Sequence, residues 1–466
     1  MNKRLYTLGI FFSIVFVVLI INLTYLQVFA AHKIVSHPEN KRSLAKDASI
    51  ERGKIFSSDG ELLADNTVVN NTYVRIYPQE KITSALVGFN DITYGRAGIE
   101  LTYNDYLLGR RTMVSAEDYI KKITGDKVPG NDVTLTINFP LQKEAFELLA
   151  DKRGAIVVLN PKTGAILAMA TNPTFDPNNI NENWTNLIKD SSAPLINRGA
   201  QGLYPPGSSF KIITASAAVD SGISSPASIY KGPGEIKISG NTISNYDKKD
   251  FGEIPLNEAF ALSVNTVFAQ IGLELGAKQL VEYAENFGFN HKIPFDLSVN
   301  TSTIPSPNKM DEVALAWSSV GQANVLATPL QMALAGASIA NKGTIMKPCL
   351  IKEIRDHNDI LIRKFESKKW LKPISEASAI EITDMMIKVV EDGTGKAAQI
   401  PNVKVAGKTG TAEVANDAPH AWFIGFAPAE NPQVVVVVII ENSGYGGKVT
   451  APIAKKIIQK ALREIK

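Results

Sequence analysis

The chain has 466 residues, 45% of them hydrophobic, enough to bury a sizeable core divided among two to four domains. A net charge of +3 argues against a nucleic-acid binder, and a lone cysteine, Cys349, leaves no disulfide framework and no thiol cluster for a metal. The histidines (His32, His37, His291, His357, His420) lack ligand spacing, so each reads as a surface or satisfied interior residue.

Taken in chain order, the first signal is Leu5–Ala31, which carries no charge and contains IFFSIVFVVLII. About 20 apolar residues span a bilayer core, and Lys3 and Arg4 before them place the short N-terminus in the cytoplasm. Val28-Phe29-Ala30 resembles a signal-peptide cleavage site, but the run is long for a leader, so an uncleaved anchor is expected. Val434–Ile440 is too short for a second span and fits a buried strand. From about residue 31 to 136 the chain is polar, with strand-like Thr72–Ile76 and Val133–Ile137. Glu51–Phe56 runs into Ser57-Ser58-Asp59-Gly60, a strand entering a tight turn. No nucleophiles or bases concentrate there, so it reads as a spacer lifting the next domain off the membrane.

Beyond it, Phe139–Leu149 has helical periodicity, and Ala155–Leu159 and Ala165–Ala170 flank a hairpin loop at Asn160–Gly164. A mostly helical stretch is predicted from Pro206 to Lys342, including amphipathic Lys278–Phe287 closed by Gly288. Strands follow at Val403–Val414, Ala421–Ala427 and Val434–Ile440, then a helix after Pro452 with an apolar stripe through Ile453, Ile457, Ile458, Ala461, Leu462 and Ile465. Two strands, helices, three strands and a helix predict one sheet assembled from both ends of the domain.

The chemistry-bearing stretch is YPPGSSFK, Tyr204–Lys211. Pro205-Pro206-Gly207 ends any preceding helix, and a helix starting behind it puts Ser208 and Lys211 on one face. A serine hydroxyl needs a base, and lysine serves only when burial or neighbouring cations depress its pKa. Ser43…Lys46 and Ser306…Lys309 repeat the spacing, but one is juxtamembrane and the other contains Pro307. LSVNT occurs at Leu262–Thr266 and Leu297–Thr301. The first copy sits in a helix–turn–helix junction, where Asn265 or Thr266 can cap the second helix and Ser263 and Asn265 can face a cleft. The second, with Ser298 and Asn300, reads as plain loop. Lys-Thr-Gly also occurs twice: Lys162-Thr163-Gly164 fits a turn, whereas Lys408-Thr409-Gly410-Thr411 lies inside a strand. There Gly410 would give clearance for a ligand or another backbone and the Thr411 N–H could serve an oxyanion, although alternation puts Lys408 and Thr409 on opposite faces.

In this order the three motifs resemble those of a penicillin-binding protein. GTGKAA at Gly393–Ala398, AGKTGTAE at Ala406–Glu413 and GQANVLATPLQMA at Gly321–Ala333 strengthen the likeness, which runs from about Gly154 to Ile465. The N-terminal half resembles class B members, through ERGKIF and GIELTYNDYLLG (Gly98–Gly109), and the short length is similar to the penicillin-binding protein A branch.

The resemblance implies an α+β, β-lactamase-like transpeptidase domain with a five-stranded antiparallel sheet flanked by helices. It divides the chain into an anchor (1–31), a pedestal or dimerisation domain (32–145) and a transpeptidase domain (146–466). It implies a bacterial, single-pass membrane protein, with its catalytic domain outside the cytoplasm, that cross-links D-Ala-D-Ala stem peptides of peptidoglycan and is acylated by β-lactams. Ser208 would be the nucleophile, Lys211 the base, Ser263 a proton relay and Asn265 an orienting amide. Lys408 and Thr409 would hold the substrate carboxylate, with the backbone N–H groups of Ser208 and Thr411 as oxyanion hole beside Gly410. The chemistry requires no cofactor, and a SEDS-type glycan polymerase is the implied partner. The alternatives are a β-lactamase, for which Glu282…Asn286 has a suggestive spacing but a solvated helix face explains it, and a non-catalytic scaffold or β-lactam sensor, against which the intact motifs argue.

Overall fold

The computed structural model describes residues 2–26, 47–69, 72–111, 128–415 and 417–465. Helix α1 (Asn2–Thr24) is uninterrupted, and its Lys3–Thr24 portion has a mean hydropathy of 2.5 and is unburied among the described residues. It is long and apolar enough to cross a membrane. Val28–Ala30, His32, His37 and Ser43…Lys46 lie outside the described residues.

Beyond α1, β1 (Ile55–Phe56) turns through Ser57–Gly60 into β2 (Leu62–Val69), which pairs with β3 (Thr72–Ile76). Gly60, at φ +89°, donates to Ser57 O across that turn, which bears out the Asp-Gly signal. Strand β4 covers Asp132–Leu135 rather than reaching Ile137. Thr136 leaves the ladder because its hydroxyl and amide bind Ile166 O and Leu350 O in the C-terminal half.

A helix, α2 (Phe139–Leu149), and a hairpin, β5 (Gly154–Leu159) and β6 (Ile166–Asn172), match the sequence reading. In chain order there follow α3 (Lys211–Asp220), α4 (Leu256–Ala261), α5 (Asn265–Asn286), α6 (Glu312–Ser319) and α7 (Pro329–Ala340). Next come β7 (Ile351–Arg355), β8 (Leu361–Lys364), α8 (Glu376–Glu391), β9 (Ala406–Val414), β10 (Asp417–Ala427), β11 (Val434–Ile440) and α9 (Gly446–Glu464).

Two corrections concern these elements. The stretch from Pro206 to Lys342, expected to be mostly helical, also holds two strand pairs: Ile229–Lys231 with Glu253–Pro255, and Glu235–Ile238 with Asn241–Ser244. The alternation in EIKI and the Ser239-Gly240 turn, both with positive φ, are hairpin signals that helical flanks obscure. Helix α9 starts at Gly446, before Pro452. A Cβ on Gly446 would lie 2.2 Å from Trp422 O, so glycine at the helix start is what lets α9 dock on the sheet.

The central sheet runs β9-β10-β11-β5-β6, antiparallel throughout, so strands from both ends of the domain do share one sheet. All of β11 is buried, which explains its unbroken apolar run. Val435, Val437 and Ile439 face the helical layer containing α3, α5 and α7, and Val434, Val436 and Val438 face α2 and α9. The second sheet, β8-β7-β4-β1-β2-β3, joins the two halves of the chain, since β7 pairs with β4. A boundary between residues 145 and 146 therefore cuts through α2, whose Leu141, Ala145 and Leu149 sit in the central-sheet core, and leaves β7 and β8 on the wrong side of the N-terminal sheet.

The second sheet rests on a buried ion cluster. Glu100, fully buried, accepts from Arg52 at 2.7 Å and Arg75 at 2.6 Å. Burial alone would raise its pKa, but the two guanidiniums reverse that and hold the carboxyl below its ordinary value. Removing the carboxylate strands two buried cations, so Glu100→Ala is expected to cost about 3–5 kcal/mol in urea denaturation; a loss under about 1 kcal/mol would contradict the cluster's role.

Candidate active site

The Ser208 loop is fixed before α3 begins. Gly207 has φ +53°, donates to Gly321 O at 2.8 Å, and would carry its Cβ 2.5 Å from Thr411 O. Only glycine fits both constraints. Residues Gly207–Phe210 form a 3₁₀ turn that feeds α3, and the Lys211 N–H donates to Ser208 O. Ser208 is part-exposed, whereas Lys211 is fully buried. Among the described residues no hydrogen bond engages Ser208 Oγ, so its link to Lys211 is one of proximity along the turn.

Lys211 reaches across to the first LSVNT. Its Nζ lies 2.7 Å from Asn265 Oδ1, 2.8 Å from Ser263 O and 3.3 Å from Ser263 Oγ. The junction has a specific architecture. Val264 N–H donates to Ala259 O and Ser263 N–H to Phe260 O, which is a Schellman ending of α4. Its left-handed position, usually glycine, holds Ser263 at φ +60°. A serine there costs about 1–2 kcal/mol, and in return the hydroxyl is aimed between α3 and β9.

From the other side comes Lys408. Strand β9 is an edge strand, and the Lys408 side chain, fully buried, donates to Ser263 Oγ at 2.9 Å and Thr409 O at 3.1 Å. Two amines thus share one hydroxyl. Burial pushes Lys408 down to about 7, and burial with the nearby Lys408 charge pushes Lys211 well below its ordinary value. Neither has a carboxylate partner among the described residues; Phe268 lies under Lys211 and Phe260 under Lys408. Burial therefore disfavours the charged form of Lys211 beside a serine hydroxyl, the direction that a base requires.

Thr409 points to the opposite face, as alternation requires, and bonds Thr394 Oγ1 at 2.6 Å. The Gly410 clearance is for protein backbone: its Cβ would lie 3.0 Å from Pro206 O and 2.8 Å from Trp422 Cβ. Thr411 covers Gly207 with its carbonyl. Ser208, Lys211, Ser263, Asn265 and Lys408 thus converge, with Thr409–Thr411 along the same edge.

Asn265 does not cap α5 as the sequence suggested. It is the first residue of the helix, and Asn245 Oδ1 accepts from Thr266 N–H instead. That frees Asn265 to accept from Lys211 while its Nδ2 donates to Ser244 O. Asn245 and Thr394 were missed. Thr394, in the GTG segment, donates to Ala261 O and meets Thr409, tying the end of α4 to β9; its only sequence signal is the flanking glycines, and Gly393 would place a Cβ 2.2 Å from Ala261 O.

The decoys stay outside. Asn300 binds Ala200 O and Gln201 O in a loop, and Asn160 Oδ1 takes the amides of Lys162 and Thr163 in the hairpin turn. Ser306 pairs with Asn308, and His420 accepts from Asn442 N–H. Glu282 is solvent-exposed on α5. No cluster of three metal-ligating side chains occurs among the described residues.

Residues 154–459 match the penicillin-binding protein transpeptidase domain, and residues 52–133 the penicillin-binding protein A dimerisation domain. The chain belongs to the penicillin-binding protein transpeptidase family. Among relatives of this penicillin-binding protein, peptidoglycan D,D-transpeptidase PbpA of Mycolicibacterium smegmatis is 34% identical, with all of both chains covered. Peptidoglycan D,D-transpeptidase MrdA of Acinetobacter baumannii is 32% identical over 78% of this chain and 59% of its own. Among solved structures, penicillin-binding protein A of M. tuberculosis as a penicillin G acyl-enzyme superposes with a TM-score of 0.82 at 33% identity, covering 89% of this chain and all of that one. The D,D-transpeptidase domain of a peptidoglycan glycosyltransferase from Eggerthella lenta gives 0.83 at 37% identity, covering 89% and 99%. The expected fold and family are borne out.

The strained Ser263 of this penicillin-binding protein has a separable signature. Ser263→Gly and Ser263→Ala both remove the shared hydroxyl, but only glycine relieves the backbone. The glycine variant is expected to be more stable than the alanine variant by about 1 kcal/mol in chemical denaturation, with both slow in acylation; equal stabilities would contradict the strain.

Proposed function

We propose that this chain is a membrane-anchored peptidoglycan D,D-transpeptidase that works through an acyl-serine. The observation that carries the reading is the meeting of Lys211, Lys408 and Ser263 one turn from Ser208. Neutral Lys211 takes the Ser208 proton as Oγ attacks the carbonyl between two D-alanines of a stem peptide. The tetrahedral oxyanion is held by the backbone N–H groups of Ser208 and Thr411. Its collapse breaks the peptide bond, and the leaving D-alanine amine takes a proton relayed through Ser263. An amine from a second stem then attacks the ester, Ser208 recovers its proton, and a cross-link is made. Water in place of that amine would give D,D-carboxypeptidase turnover.

Charged Lys408, with Thr409 meeting it along the edge of β9, holds the terminal carboxylate of a substrate that lies along that edge. β-Lactams enter as mimics of the donor and leave a stable ester. The acyl-enzymes named for the M. tuberculosis relative support this. The exposed position of Glu282 favours a transpeptidase over a β-lactamase.

Helix α1 anchors the protein in a bacterial cell membrane as a single span, with Lys3 and Arg4 on the cytoplasmic side and the catalytic domain outside. The residues around the second sheet form a pedestal between membrane and site. A SEDS-type glycan polymerase is the partner we assign, since cross-linking needs newly polymerised glycan.

Two results test the assignment. Ser208→Ala should abolish covalent labelling of the full chain by a fluorescent penicillin; persisting label would remove the nucleophile. The ratio k2/Ks for acylation reports the free protein, so it should rise as Lys211 loses its proton, well below pH 10.5, and fall as Lys408 loses its charge near pH 7. Lys408→Arg, which stays charged, should abolish the alkaline fall; a profile unchanged by it would contradict the carboxylate role.

A further inference from the structure

Outside the cleft a second ionic cluster remains that the acyl-transfer steps do not use. Glu441 follows the last residue of β11, and its side chain is 10% exposed. It accepts from Arg198 Nε at 3.0 Å, Arg153 Nε at 2.6 Å and Tyr204 Oη at 2.8 Å. Arg198 is itself buried and donates further to the carbonyls of Pro173, Ala193 and Ser192. The carboxylate is therefore held rigidly from behind.

Tyr204 is the first residue of the nucleophile segment, four before Ser208. Its backbone exchanges hydrogen bonds with Ala327 at 3.0 and 2.8 Å, and the next carbonyl, Pro205 O, accepts from Trp422 Nε1 at 3.1 Å. Its ring meets His420 and Trp422 edge-on at 5.6 and 6.1 Å. Burial and the Glu441 charge push the phenol well above its ordinary value, so it remains a donor at every working pH. The hydroxyl is the single side-chain polar group by which the Tyr204–Gly207 segment is fastened to the ionic cluster.

We propose that Glu441 is a positioning residue for acyl transfer: by fixing the Tyr204 hydroxyl it sets where the Tyr204–Gly207 segment presents Ser208 to Lys211 and to the substrate carbonyl. The strength of an ion cluster is not the point, because buried pairs add little net stability. Placement is, because acyl transfer is steep in the distance between reacting atoms. The cluster also spans the sheet: Arg153 precedes β5, Glu441 follows β11, and the adjacent Asn442 N–H donates to His420 Nδ1 on β10. The central strands thereby brace the nucleophile.

This inference rests on Ser208 being the nucleophile. The test uses the full chain and benzylpenicillin, with Ks and k2 separated by stopped-flow. Tyr204→Phe keeps the ring and deletes only the hydroxyl; Glu441→Gln keeps the size and deletes the charge. Each should lower k2 roughly tenfold with Ks within about twofold. The double variant should be no slower than the slower single, because both break one link. A k2 within about twofold of the parent in Tyr204→Phe, or losses that multiply in the double variant, would overturn the proposal, whatever happens to Tm. Labelling that survives Ser208→Ala would instead strike the reading beneath it.

Discussion

Two lysine side chains, both fully buried, converge on one serine hydroxyl with no carboxylate to neutralise them. Two ammonium ions in so dry and close an arrangement repel strongly, so at least one of the amines is neutral at working pH. That constraint separates the two roles. In the proposed mechanism Lys211, pressed by burial and by its neighbour, is the base, and Lys408, on the strand edge, carries the charge when an anion arrives. Ser263 is the shared partner, its Oγ meeting both amines from a backbone held in the left-handed region.

The rest of the fold is arranged to hold that geometry. Glycines at 207 and 410 let the Ser208 loop and β9 approach closely, and Gly321 lets the end of α6 pack on that loop. Thr394 ties the end of α4 to β9, and Asn245 takes over the capping of α5 so that Asn265 is free to meet Lys211. Beneath them lies a sheet built from strands about 250 residues apart in sequence, with the Lys-Thr-Gly strand at its edge. The pairing of β7 with β4 joins this layer to the N-terminal sheet, and Asp296, which accepts from Tyr103 Oη and Leu350 N–H, adds a polar link between the halves.

Much of this was legible in the residues. VVVVVII is unbroken because β11 is covered on both faces, and Phe139–Leu149 is a helix with the predicted bounds. The converging Ser-x-x-Lys, Ser-x-Asn and Lys-Thr-Gly were separable from their copies because helix starts and strand interiors constrain side chains, whereas loops such as that of Asn300 do not. Other features depend on partners distant in sequence. Nothing near Asn265 says that Asn245 will cap its helix, and nothing in KTG says that Gly410 clears Pro206. Strands β7 and β8 could not be assigned to the N-terminal sheet from their own pattern, since an edge is specified by its partner. Glu441 reads as the polar end of a hydrophobic strand until Tyr204 and Arg198 are seen beside it.

The charge state of the buried lysine pair decides whether Lys211 can act as a base. Carbon-13 NMR of protein labelled at lysine Cε, titrated with pH and assigned by comparison with Lys211→Met, reads that state directly. The expected result is one lysine signal, absent from the variant, that titrates far below the 10.5 of an ordinary lysine. If every lysine signal instead titrates together near pH 10, Lys211 is protonated in the resting protein and cannot be the base.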